Sequence, residues 1–162
     1  MRSKRYYWLA GALFLIAVLA VGWLSINKTA KEEDAIHIRV KDIEGNTVNI
    51  DDEKPTVLFF MAAWCVSCAE IEQSLKEVAK DKNVQVVTVD VDPQIDKKEH
   101  LAAFQRTYGG SWPHVFDADL SLVKLFGVNS LDTVVVVKDE KVVHKSIRPN
   151  IQTIKEAIRH GR

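Results

Sequence analysis

Cysteine and net charge are what this 162-residue chain has least of. Lysine and arginine balance aspartate and glutamate at 22 each, so the formal net charge is zero and nothing suggests a nucleic-acid partner. There are only two cysteines, and a chain this long buries a real core without needing a disulfide to fold. Internal repeats and low-complexity tracts are absent, and the length suits one compact domain and little more. No cysteine directly follows the apolar N-terminal run, which excludes a lipid-anchored lipoprotein.

That run is the first positive signal. Arg2, Lys4 and Arg5 precede a stretch from Trp8 to Leu24 that holds no charged residue, and Ser25-Ile26 extends it. A bilayer needs ~20 such residues. The basic flank places the N-terminus in the cytoplasm and the remainder outside, with Tyr6-Tyr7-Trp8 and Trp23 suited to the two interfaces. The expectation is a single-pass membrane anchor over residues 1–26, a polar linker over 27–34 and a domain over 35–162 on the extracytoplasmic side. A signal peptide cleaved near Val18-Leu19-Ala20 is the alternative, and it exports the same domain. Outside the cytoplasm a dithiol tends to be oxidised unless something reduces it.

Hydrophobic patterning gives the domain's elements. Ile36 to Val40 and Thr47 to Ile50 alternate around Glu44-Gly45-Asn46, which predicts a hairpin. Thr56 to Ala62 is continuously apolar, as in a strand covered on both faces. A helix is predicted from about Cys65 to Lys80, with Cys68, Ile71, Leu75 and Val78 on its inner stripe. A strand over Val84–Val89 ends at Asp90-Val91-Asp92-Pro93. A helix from about Lys97 to Tyr108 is broken by Gly109-Gly110. Val115-Phe116 is a short strand, Leu120 to Phe126 a short helix, Thr133–Val137 and Lys141–Ile147 a hairpin, and Ile151 to Arg159 a closing helix. The order argues for an α/β sandwich with a mixed sheet.

Both cysteines lie in Trp64-Cys65-Val66-Ser67-Cys68, between the apolar strand and its helix. Cys65 at the helix start faces free backbone N–H groups and the positive end of the helix dipole, which favour thiolate over thiol. Cys68, one turn in, falls on the buried stripe. The predicted pair is an exposed nucleophile and a sheltered resolving thiol, arranged for thiol–disulfide exchange. A purely structural staple is disfavoured because so short a loop gains little chain-entropy stabilisation. A metal site is the sharper rival, with two thiolates and a third ligand holding copper(I) or zinc. Asp132 can supply an oxygen to zinc, and His114 and His144 are weaker third-ligand candidates.

Strand, Trp-Cys-x-x-Cys and helix resemble the thioredoxin superfamily, from about Ile36 to the last helix. The N-terminal anchor, the leading hairpin with Gly45, the extra helix between Asp92 and Val115, and Trp112-Pro113-His114-Val115-Phe116-Asp117 resemble its membrane-anchored TlpA/ResA-like branch. The resemblance implies a thioredoxin-like sandwich with a central mixed sheet flanked by helices. It also implies a thiol-disulfide oxidoreductase with Cys65 attacking, Cys68 resolving, Trp64 shielding the pair, and no organic cofactor. Its partners would be exported thiol or disulfide proteins, with apocytochrome c as one target and a membrane electron donor recharging the pair.

Three departures from the branch bear on this expectation. Ser67 stands where many members have proline. The positions matching the family's buried acid are Phe59 and Ile71, and the helical phase of Glu70 and Glu72 sets both off the buried stripe. Asp132 replaces the cis-proline before Thr133, so a trans peptide is expected there. A carboxylate at that place disfavours the Cys65 thiolate by like-charge repulsion. Trp64, Asp132 and Thr133 are the candidate groove residues, and Trp112-Pro113 is either a groove wall or a loop anchor on the core. Two other classes stay open: a copper or zinc metallochaperone, which Sco-type proteins of this fold exemplify with wider cysteine spacing, and a non-catalytic binding module in which Asp132 has spoiled exchange.

Overall fold

A computed structural model describes residues 38–50 and 54–161. The expected anchor and linker, residues 1–34, lie outside the described residues. Two short strands, β1 (Ile38–Lys41) and β2 (Thr47–Ile50), form an antiparallel hairpin. Its turn is tied by the Asp42 carboxylate, which accepts from the Glu44 and Asn46 N–H groups. Gly45 takes φ +90° there, a conformation side chains resist.

The main sheet has five strands in the order β5-β4-β3-β6-β7. β3 (Thr56–Met61) is its centre and is buried along its whole length, as an apolar run covered on both faces must be. It pairs parallel with β4 (Gln85–Asp90), which pairs parallel with β5 (His114–Phe116). On the other side it pairs antiparallel with β6 (Thr133–Lys138), which forms a hairpin with β7 (Lys141–Ile147). The sheet is therefore mixed.

Helices α1 (Val66–Val78), α2 (Lys98–Tyr108) and α4 (Ile151–His160) cover one face. Their inner residues, among them Leu75, Leu101 and Ile154, pack on Val57, Phe59, Val86, Val134 and Val136. The β1–β2 hairpin and α3 (Ser121–Leu125) cover the other, where Val48, Ile50, Leu122 and Phe126 meet Leu58, Phe60, Val87, Val135 and Val137. The alternation of successive side chains across each strand divides the two cores. The result is a thioredoxin-like α/β fold with a central mixed sheet and flanking helices.

The α1 stripe of Cys68, Ile71, Leu75 and Val78 is buried as its spacing requires, with one addition. Glu72, read as lying off the stripe, is fully buried, while Glu70 is exposed. Residue 72 is four after Cys68 and three before Leu75, so it shares their face. Its carboxylate is satisfied there by other elements. Asp90, where the predicted strand over Val84–Val89 was to end, is the last residue of β4 and is fully buried. His114, a candidate third ligand, follows the loop after Tyr108, opens β5 and is also buried. His144, the other third-ligand candidate, lies on the edge strand β7, where its Nε2 and the Ser146 hydroxyl are 2.8 Å apart.

Candidate functional site

Cys65 is the N-cap of α1, and it is joined to Cys68 by a disulfide. The cap geometry turns the Cys68 N–H onto Cys65 Sγ at 3.3 Å, so the sulfur takes the place of a capping oxygen and accepts from a helix N–H. An N–H held against the sulfur, at the positive end of a helix, stabilises a thiolate once the bond is reduced. Cys68 is fully buried. Cys65 is less exposed than its assigned role suggests: 7% of its surface reaches solvent, and an Asp132 oxygen lies within 4.8 Å of its sulfur. The asymmetry within the pair survives, but the attacking sulfur shows only an edge.

Asp132 is brought beside the pair. It precedes β6 with φ +61°, and its peptide bonds are trans, since no cis peptide occurs among the described residues. Its Oδ1 lies 3.8 Å from Cys65 Sγ. Its Oδ2 is crowded by donors: the Ser67 hydroxyl at 2.8 Å, Arg148 Nη2 at 2.7 Å and Arg148 Nε at 3.1 Å. Its carbonyl accepts from the Arg148 N–H at 2.7 Å. Arg148 thus neutralises a carboxylate that is only 3% exposed and clamps its orientation through both side chain and backbone. Ser67 contacts both Asp132 and Cys65, the latter at 3.4 Å.

The other two groove candidates part company. Trp64 is 54% exposed, and its indole N–H donates to Asp92 Oδ2 at 3.0 Å. A cleft of about 370 Å³ beside it is lined by Ala63, Trp64, Asp96, His100, Phe104 and Tyr108. Thr133 is buried, and its hydroxyl donates to the Ser130 carbonyl at 2.6 Å. Its register opposite Phe60 turns it to the sheet face away from the cysteines, which corrects its reading as a groove residue. Trp112 is a loop anchor: it is buried, and its indole N–H donates to Thr88 Oγ1 at 2.9 Å.

Buried acids are present after all, though not at Phe59 or Ile71. Glu72 Oε1 pairs with His114 Nε2 at 2.8 Å, and Glu72 Oε2 accepts from Thr88 Oγ1 at 2.8 Å. The other nitrogen of His114, Nδ1, lies 3.0 Å from the Trp112 carbonyl. Gly109 packs over this group so closely that a Cβ there would come within 2.9 Å of both Glu72 Oε1 and His114 Nε2.

The second buried acid is Asp90, on the β4 face that pairs with Met61. Its Oδ1 accepts from the Asp92 N–H at 3.0 Å, and its Oδ2 has no hydrogen-bond partner. Burial pushes its pKa up to about 7; the nearby Asp96 carboxylate adds to the rise, and the Asp92 N–H offsets part of it. Asp96 in turn accepts from the Ala63 N–H at 2.7 Å, two residues before Cys65. Composition gave no sign of these acids: the partners of Glu72 are distant in the chain, and Asp90 is buried with one oxygen unpartnered.

Comparison with known proteins agrees with the fold and with the cysteine pair's chemistry. A family model described as Redoxin matches residues 31–159. The thiol-disulfide oxidoreductase ResA of Bacillus subtilis is 24% identical over 160 residues, covering 91% of this chain and 87% of ResA. A Streptomyces lividans protein called Mercury resistance operon ORF3 is 24% identical over 139 residues, covering 82% of this chain and 71% of that one. The crystal structure of a thioredoxin-like protein from Aeropyrum pernix matches with a TM-score of 0.69 at 24% identity, covering 86% of this chain and 98% of that one.

Proposed function

The chain belongs to the Redoxin family, and from that premise we propose that Cys65 and Cys68 reduce disulfides of exported proteins. The protein is a thiol-disulfide oxidoreductase. The observation that carries the reading is the placement of Cys65 as N-cap of α1, with the Cys68 N–H on its sulfur and Cys68 bonded to it from the buried side.

In the reducing direction the Cys65 thiolate attacks one sulfur of a substrate disulfide. A Cys65–substrate bond forms, and the substrate's other sulfur leaves as a thiolate. Cys68 then attacks Cys65 Sγ, re-forming the Cys65–Cys68 bond and releasing the second substrate sulfur. Two electrons pass to the substrate, and the protons lost by Cys65 and Cys68 end on its two thiols. Asp132 favours this direction. Its negative charge beside Cys65 destabilises the thiolate of the reduced form, so the dithiol gives up its electrons more readily.

Because the Asp132 carbonyl is already taken by Arg148 N–H, the substrate chain docks on the exposed face of Trp64 and its cleft. The domain faces outward on an anchor at residues 8–26 and is recharged by a membrane electron donor. Apocytochrome c is a fitting target, by analogy with the ResA-like branch.

Insulin reduction by the protein and by Cys65→Ser tests the exchange. The variant should lose the activity, and activity that survives it refutes the nucleophile assignment.

A further inference from the structure

We propose that the reduced form holds a zinc-class divalent cation between Cys65 Sγ, Cys68 Sγ and Asp132 Oδ1. These are the three donor atoms that the fold brings within 4.8 Å of one another. In the oxidised protein the sulfurs are bonded to each other and cannot serve as thiolates, so the site exists only after reduction. Cation and disulfide are then mutually exclusive states of one pair.

The geometry is close to what such an ion requires. With Zn–S at ~2.3 Å and Zn–O at ~2.0 Å, a tetrahedral centre sets sulfur and oxygen about 3.5 Å apart. Cys65 Sγ and Asp132 Oδ1 are already 3.8 Å apart. The carboxylate is also oriented as a ligand is. Oδ2 takes all three side-chain donors, from Ser67 and Arg148, which leaves the lone pairs of Oδ1 to the sulfurs. Such outer hydrogen bonds fix a ligating carboxylate in place.

Charge supports the same ion. Two thiolates and a carboxylate bring three negative charges into a nearly closed site, and a divalent cation with the Arg148 guanidinium cancels them. A mixed sulfur and oxygen donor set favours a borderline ion such as zinc over copper(I), which prefers sulfur or imidazole. Three protein ligands leave the fourth position for water or an incoming thiol. Binding releases the two thiol protons to solvent and needs no oxidant.

Zinc titration against a chromophoric chelator, on the full chain reduced and then freed of reductant, tests the site. One zinc per reduced chain is expected, with none in the oxidised chain and at least a tenfold loss of affinity in Asp132→Ala. Cobalt(II) should give a tetrahedral thiolate spectrum in the reduced protein, and Asp132→Cys should strengthen its sulfur charge-transfer band. Three results overturn the proposal: no stoichiometric zinc in the reduced chain, undiminished affinity in Asp132→Ala, or an unchanged cobalt band in Asp132→Cys. Insulin reduction measured without metal on the same preparation reads the exchange reaction separately, so either reading can fail alone.

Discussion

Asp132 Oδ1 stands 3.8 Å from Cys65 Sγ, with a trans peptide where the resemblance read in the sequence implied a cis-proline position. One carboxylate therefore opposes the thiolate that the α1 terminus promotes. Arg148 and Ser67, both bonded to Oδ2, hold that opposition in check.

Asp132→Asn should raise the thiolate fraction of reduced Cys65. Its alkylation by iodoacetamide at neutral pH is expected to speed up by about threefold to tenfold, with chelator present, because a like charge is removed. In mildly alkaline buffer the reduction potential should rise by roughly 15–30 mV, the same ratio expressed for a two-electron couple. Equal alkylation rates in the two proteins would show that Asp132 does not act on the sulfur.

Arg148→Ala should move alkylation the other way, slowing it, since Asp132 then faces Cys65 without its counter-ion. The Arg148 side chain is 67% exposed, so solvent already screens it and the effect should be less than about threefold. A faster reaction in this variant contradicts the assigned electrostatics.

Much of this site was legible in the sequence. The spacing of Cys68, Ile71, Leu75 and Val78 fixed the inner face of α1, and the strand-to-helix junction put Cys65 at its start. Matching the segment before Thr133 to the family brought Asp132 to the cysteines. Arg148 was missed, yet the β6–β7 register, with Thr133 opposite Ile147, sets residue 148 across from residue 132. Pairing counted from the turn would set residue 147 there; the irregularity between Val136 and Val137 shifts the register by one and brings in Arg148. Glu72 was missed for a different reason. A charged residue on a helix is ordinarily wet, and the partners that allow its burial, Thr88 and His114, lie 16 and 42 residues away.

The buried Glu72–His114 pair should matter for stability. His114→Ala leaves Glu72 in the core with only the Thr88 hydroxyl and should cost about 3–5 kcal/mol in urea unfolding. Replacing both residues by leucine should cost less than His114→Ala alone. Gly109→Ala should also destabilise, because its Cβ enters the space of both polar atoms. Additive costs for the two partners would mean that the pair is not coupled.

Asp90 predicts a pH dependence of stability. Its folded pKa, about 7, lies above the unfolded carboxylate value near 3.8, so the folded state binds the proton more tightly. Its contribution is fully present below the unfolded value and is lost as pH rises through the folded one. Denaturation midpoints should therefore fall between about pH 4 and pH 7 by an amount that Asp90→Asn removes. The amide keeps an acceptor for the Asp92 N–H while carrying no charge to bury. An identical pH profile in Asp90→Asn would assign the dependence to other groups.

The central claim is that Cys65 attacks and Cys68 resolves. Cys68→Ser removes the resolving thiol, so incubation of this variant with a disulfide-bonded substrate protein should accumulate a mixed disulfide. Peptide mass mapping should place that bond on Cys65, and dithiothreitol should release it. If no covalent adduct forms although the variant is folded and Cys65 is reduced, the proposed exchange mechanism is contradicted.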